Sequence, residues 1–489
     1  VALITIPWVL DLFNGSATSF RVLSHESANI QLPLLVLAAA AYLVTHQATI
    51  RPYRTGAILS EGAMPLPHWA RSLAAGMGLL SFAVLGMLLA MARLTMFSLS
   101  EGAAGSLAIF EVLTVPAFVV AAGAIGMLIG RALRSAVAGI LLFAVLAGGV
   151  IAAFYTASSA SWLSLMVPLD PLDPGVLPSS LIDRPAGWHL LWLATLIVVV
   201  LVAALLIDRL PAKVGAPVLA IALAGATVAG AMQSQGPSPS VLGERAGVFL
   251  NPADLQNCRT IGIDRFCSFP EFESRIPAWK DVVDGVRSAV PTELTAQGSI
   301  AVRQSLDAVN GPMDSQGSLP LAVWAREGPL DEALATIPAP MSWAATGDGR
   351  LEEHDVLSFA VDVSATMVEG VPEPSDHTIV ALCDAPAFLV LWGAARADQS
   401  TEAAFGGFLG SSQGGAVWTT TVRSSAGYSF SPSEVDLVAQ LLAQPRDVAD
   451  QAVASLGESL TNLDADIMEV AHLLNMPAPV QRPEQWACE

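Results

Sequence analysis

The apolar positions of this chain follow two different patterns. Up to about residue 235 they form long runs separated by short polar connectors; beyond it they come as short pieces inside a polar sequence. A membrane-crossing helix needs about 20 mostly apolar residues. Gln31–Thr45, Leu73–Met96, Leu107–Gly130, Ser135–Tyr155, Trp188–Ile207 and Ala216–Met232 meet or approach that length, and the first is the weakest. The opening run Val1–Phe13 is too short to cross. It lacks the basic flank and cleavage site of a signal peptide and reads as the outer end of a further span, truncated at its start. The pattern predicts a polytopic α-helical membrane protein of about seven spans over residues 1–235, a linker at 236–250 that begins within QSQGPSPS (233–240), and an α+β domain over 251–489 with a helical C-terminal part.

Within that last region, 271–290 reads as a helix entered at Pro270 and split at Pro277. Residues 378–382 and 387–391 read as short strands or buried segments, and 416–422 as a strand. Ser431, Pro432 and Glu434 spell a capping box at the start of a helix. Further helices are expected from Pro445 to about Leu460 and over 464–474.

Composition agrees with a membrane sector: 53% of residues are hydrophobic and 13% charged, against about a quarter charged in soluble domains. Charge divides the chain at the same place. Residues 1–235 carry a net charge of +1 and residues 236–489 about −21. An acidic second half argues against a nucleic-acid partner and against docking on anionic lipid.

Basic residues orient the spans. Arg51, Arg54, Arg71, Arg131, Arg134, Arg209 and Lys213 lie in alternate connectors, and the opposite connectors hold only Arg21 and Arg184. With seven spans, the N-terminus is expected in the cytoplasm and the acidic domain outside, at the plasma membrane. Cysteine usage agrees, since all four cysteines fall in the second half. An even, exported set reads as disulfides: Cys258 with Cys267 as a local pair, leaving Cys383 and Cys488 to tie the chain end to the domain body. Metal ligation is not expected, because close Cys pairs and neighbouring His partners are missing.

Gly123, Gly126 and Gly130 lie near one helical face, with Gly139, Gly148 and Gly149 in the next span, a pattern that permits close helix contact in lipid. Glu111 is the carboxylate nearest membrane depth, a functional candidate by default. It is four residues into its span, so an interfacial position is expected. The Pro-rich connector 162–187 reads as a plain linker.

The stretch RPYRTGAILSEGAMPLPHWARS, residues 51–72, is unusual among the connectors. It reads as a basic entry, a short amphipathic helix presenting Ile58 and Leu59, a stop at Pro65 and Pro67, and interfacial anchors Trp69 and Arg71. RTGAILSEGAMPLPHWARSLA resembles the cytoplasmic segment of actinobacterial ABC-2-type transporter permeases. GMLIGRALRS (126–135), RPAGWHLLWL (184–193) and CRTIGIDRFCSFPEFESRIPAWKDVV (258–283) resemble other parts of the same layout, the last being the start of an attached extracytoplasmic domain. The helix departs from that pattern in having Glu61 alone where relatives have a denser acidic cluster.

The resemblance implies that Arg54, Ile58, Leu59, Glu61, Trp69 and Arg71 form a coupling helix against a separate ATPase. A second permease chain, identical or a sister, would complete the transporter. This chain has no P-loop, so ATP would be used by the partner and no cofactor is expected here. No HExxH zinc-peptidase motif is present, the chain reads as lacking a G-x-S-x-G nucleophile elbow, and no catalytic residue is expected. EEHD (352–355) reads as a solvated acidic face and GGFLGSSQGG (406–415) as a flexible loop. The function expected is the membrane subunit of an ABC transporter, an exporter by analogy, with membrane lipid around it. The alternative is a membrane-anchored extracytoplasmic binding or sensing protein that transports nothing.

Overall fold

A computed structural model describes residues 20–57, 66–156, 177–235, 238–250, 252–305, 335–340, 343, 350–369, 379–409, 416–419, 427–460 and 463–480. Among them, five helical stretches are long and apolar enough to cross a membrane: Leu23–Thr55, His68–Ser98, Ile109–Leu133, Ala186–Ile207 and Ala212–Gln233. The first two are built in parts, α1 (Leu23–Asn29) with α2 (Gln31–Thr55), and α3 (His68–Met77) with α4 (Leu79–Ser98). The rest are α5 (Ile109–Leu133), α7 (Ala186–Ile207) and α8 (Ala212–Gln233), and the apolar α6 (Ala136–Thr156) follows α5. Val1–Phe13 lies outside the described residues.

The first described span corrects the expectation most. Instead of a weak run over Gln31–Thr45, it is a helix of 33 residues. The basic entry at Arg51–Thr55 is its last turn and not a loop. Its polar residues are spent on neighbouring helices: Thr45 donates to the Gly123 carbonyl at 2.8 Å, Tyr42 to that of Gly139 at 2.9 Å, and His46 Nε2 lies 3.2 Å from that of Ser135. A hydropathy sum counts those residues as a break, although the partner helices satisfy them.

α5 is the hub, packing against α2, α4, α6 and α7. Glycines on α5 and α6 decide how closely these helices approach α2 and its neighbours. A Cβ at Gly126 would lie 2.4 Å from the Tyr42 carbonyl oxygen, one at Gly123 would lie 2.3 Å from Leu79, and one at Gly139 would overlap the His46 ring. Gly123, Gly126, Gly130 and Gly139 are therefore contact glycines, whereas Gly148 and Gly149 have nothing near them. The outward residues of α6, among them Val137, Ile140, Leu141 and Val145, are exposed and apolar, as lipid contact requires.

Past α8 the expected linker is largely a helix, α9 (Pro239–Leu250). Arg245 on it is buried and donates to the Leu181 carbonyl at 2.8 Å. The C-terminal region holds two sheets. In the first, β1 (Asn257–Ile261), β2 (Asp264–Ser268), β3 (Ala301–Ser305) and β4 (Thr336–Pro340) lie in that order; β1–β2 is an antiparallel hairpin and β2, β3 and β4 run parallel. Gly262, at φ 67°, takes the left-handed position of the two-residue turn. Cys258 and Cys267 face each other across this hairpin and form the disulfide expected. Cys383 is disulfide-bonded too; Cys488 lies outside the described residues. β3 is buried along its whole length, and burial, with the charge of Arg265 nearby, pushes the Arg303 guanidinium below its ordinary pKa.

The second sheet has the order β5 (Ile379–Leu382), β7 (Gly427–Phe430), β6 (Ala416–Thr419). Helices α10 (Ile276–Ala289), α11 (Arg350–Met367), α12 (Asp384–Arg396), α13 (Gln399–Leu409), α14 (Pro432–Leu442), α15 (Arg446–Ser459) and α16 (Ile467–Leu473) complete the region. Pro277 does split the first of these: a 3-10 turn over Pro270–Arg275 precedes α10. Residues 387–391 are not a strand. They belong to α12, which is buried on every side, so its apolar run has no helical period to read. The capping box is also altered. Ser431 does not cap α14 through its side chain; its hydroxyl bonds the Glu434 carboxylate, which also accepts the Asp384 N–H at 3.0 Å.

Candidate functional site

The bundle has two polar ends, one basic and one facing the sheets. At the basic end α2 closes at Gly56, whose φ of 72° stops the helix. Arg54 is exposed in its last turn, and the chain re-enters at α3 after Pro67. Trp69 and Arg71 sit in the first turn of α3, with Arg71 Nη2 2.8 Å from His68 Nδ1. Ile58, Leu59 and Glu61 lie outside the described residues.

The next residue, Ser72, is fully buried and carries the chemistry that sequence reasoning missed. Its hydroxyl donates to Asp208 Oδ2 and accepts from Arg131 Nη2 at 2.9 Å, while Arg131 Nε lies 3.2 Å from Asp208 Oδ2. Arg131 belongs to the last turn of α5 and Asp208 is the C-cap of α7. A carboxylate at a helix C-terminus opposes the helix dipole, so this position is tolerated because Arg131 and Ser72 surround it. The triad ties α3, the helix leading out of the 51–72 stretch, to the ends of α5 and α7. Arg134 stacks over Tyr53 at 4.8 Å and ties the α5–α6 turn to the end of α2. The signal in the sequence was Asp208 itself, a lone carboxylate closing an apolar run.

At the other end Glu111, expected at interfacial depth, is turned into the protein and away from solvent. It is 3% exposed and paired with Arg184, whose Nη1 lies 3.2 and 3.3 Å from its two oxygens. The same nitrogen donates to the Ser24 carbonyl at 3.1 Å. Both charged side chains are 4% exposed. The described part of the 162–187 connector is thus built into the bundle instead of linking it. Glu111 is in the first turn of α5, where the helix dipole favours an anion. Arg21 and Glu26 form a second buried pair at 3.2 Å.

This end is also where the sheet-bearing region docks. Residues 20–23 pair with 101–104 through Phe20 N to Glu101 O, Leu23 N to Ala104 O and Ala104 N to Arg21 O. The FPEFESR segment lies across that pairing. Gly105 N donates to the Glu271 carbonyl at 3.1 Å, Ser274 to the Ala103 carbonyl at 2.9 Å, and buried Arg275 to the Phe20 carbonyl at 2.7 Å. The Phe20 ring enters the core of the sheet region edge-on to Trp343, 6.4 Å between centroids, and Trp343 packs in turn on Trp279 and Phe359.

One motif needs correction. Gly410, Ser412 and Gly414 do have G-x-S-x-G spacing. The run follows helix α13 and precedes strand β6, the reverse of the strand-to-helix turn a nucleophile elbow requires; Ser412 itself lies outside the described residues. No protein-family model, curated protein or solved structure matches this chain.

Proposed function

We propose that this chain is the membrane-spanning permease subunit of an ABC transporter, driven by a separate ATPase that docks at the basic end. The single observation that carries this is the buried Ser72–Asp208–Arg131 triad. A stretch lying passively on lipid needs no buried ionic joint to two other helices. A stretch that receives a push does, because the push has to reach the spans.

Through the triad, displacement of residues 56–67 would be delivered to α5 and α7, and α5 contacts α2, α4 and α6 as well. Packed helices respond to such a push by switching between discrete packings instead of deforming continuously. In this reading the basic end is cytoplasmic, by the distribution of Arg and Lys, and the sheet-bearing region and its disulfides lie outside. Arg54, Ile58, Leu59, Glu61, Trp69 and Arg71 contact the ATPase, and a second permease chain completes the pump. Phe20 and Arg275 make the outer region move with the bundle.

The test is purification of the full chain in mild detergent from its own membranes, beside two variants. An ATPase is expected to accompany the parent and to be lost from R54A/W69A/R71A. The S72A/D208N variant is expected to keep the ATPase but lose its stimulation by this chain, since docking is intact and transmission is not. A parent chain that purifies without any ATPase would overturn the assignment and favour an anchored binding or sensing protein.

A further inference from the structure

Beside the Glu111–Arg184 pair the bundle holds an open-sided cavity of about 190 Å³. Ser24, Ser106, Ser179, Glu111 and Arg184 contribute its polar wall, and the first turns of α5 and α7 its remainder. Neither of those helices has a side-chain cap at its N-terminus. Two positive helix ends and a guanidinium therefore converge on one small space, which favours an anionic group. The wall is not simply cationic. Glu111 offsets Arg184, and Glu271 of the sheet region reaches the rim, accepting from the Ser179 N–H at 3.0 Å and its hydroxyl at 2.7 Å. The wall therefore offers both kinds of partner, Arg184 and two helix N-termini for an anionic group and the Glu271 side chain at the rim for a cationic one. Ser24 is buried in the wall and its hydroxyl has no hydrogen-bond partner among the described residues, a state that costs about 1–3 kcal/mol unless something else fills the space.

Apolar surface lies next to the polar wall. Ile109 and Phe110 line the cavity and are each 55% exposed, and Trp188 on α7 is 39% exposed beside Gly187 of the wall. Exposed aliphatic and aromatic side chains in the first turn of a membrane helix sit at the level where headgroups meet acyl chains. The volume is below the ~300–1,000 Å³ of sites that enclose a drug-sized ligand. It suits a headgroup whose tails remain outside along Ile109 and Phe110.

We infer that this cavity binds the headgroup of a zwitterionic glycerophospholipid, with its phosphate toward Arg184 and the helix N-termini and its ammonium toward Glu271. A net-anionic headgroup would bring its charge beside Glu271 with no ammonium to meet that side chain. The inference rests on the membrane placement of the helices and is independent of any ATPase.

The experiment uses the full-length chain in detergent, equilibrated with mixed vesicles containing equal phosphatidylethanolamine and phosphatidylglycerol, with retained lipid counted by native mass spectrometry. Glu271 is exposed, so its single ammonium–carboxylate contact gives an expected preference for phosphatidylethanolamine of about twofold. Gly187→Leu fills the cavity from α7. A Cβ there meets nothing closer than the Phe110 ring at 4.0 Å, and leucine suits a helix better than glycine, so the chain stays folded and the preference is lost. Ser24→Ala, which adds no volume, lowers retention in part. Equal retention of the two lipids by the parent, or a preference that survives Gly187→Leu, would overturn the inference. So would full displacement of the lipid by soluble phosphoethanolamine at equal concentration, which would assign the site to a free solute.

Discussion

Replacing Glu111 by glutamine tests the structure at its most consequential buried charge. The change keeps the shape of the side chain and removes its charge, leaving Arg184 in a site where only 4% of its side chain meets solvent. Removing one partner of a buried ion pair costs roughly 3–5 kcal/mol, because the other charge stays desolvated. Two features place this case at the lower end. Arg184 keeps its bond to the Ser24 carbonyl, and the open-sided cavity beside it admits water to the vacated acceptor. The expected loss is about 3 kcal/mol. The E111Q/R184M double variant removes both charges and is expected to recover most of it, giving a coupling of about 2 kcal/mol in the mutant cycle. The assay is reversible unfolding in mixed SDS–detergent micelles, followed by tryptophan fluorescence. If Glu111 faced solvent, E111Q would lie within about 0.5 kcal/mol of the parent, as surface changes do, and the double variant would be no better than the single. Either result would refute the buried pair.

Three further outcomes are expected. Gly126→Ala drives a Cβ into the Tyr42 carbonyl and should destabilise the bundle by about 1–3 kcal/mol, whereas Gly148→Ala meets nothing and should be neutral or slightly stabilising in the same unfolding assay. Phe20→Ala removes the ring that packs on Trp343 and should cost about 2 kcal/mol, discounted from the ~3–5 of a fully buried aromatic, with faster hydrogen exchange at 101–104 and 271–275. Reduction of the Cys258–Cys267 disulfide, with its sequence separation of 9, should cost about 2–3 kcal/mol by the chain-entropy estimate, read as earlier protease cleavage at the hairpin.

Much of the architecture was legible in the amino-acid sequence because it rests on one-dimensional signals. Apolar runs of membrane length located α4 to α8. Cysteine spacing found the hairpin disulfide, proline placed the break before α10, and the contact glycines on α5 stood out by their spacing. These features depend on local composition and period, which a chain displays before it folds. What failed depended on partners distant in sequence. The polar half of α2 looked like a break until Gly123, Gly139 and Ser135 supplied acceptors for Thr45, Tyr42 and His46. The linker became α9 because Arg245 finds the Leu181 carbonyl, and α12 hid its period by being buried all round.

The candidate sites divide in the same way. Sequence alone determined that the 51–72 stretch is chemically unlike the other connectors and that Glu111 is a carboxylate at the edge of a span. Only the tertiary structure decided what each does. Ser72, Arg131 and Asp208 are ordinary residues at three helix ends until packing brings them within hydrogen-bond reach. Glu111 becomes one half of a buried pair because folding brings Arg184, 73 positions later, within 3.2 Å of it. A charge near a membrane cannot remain buried without compensation, and its compensation is a matter of proximity in space, which residue order does not state.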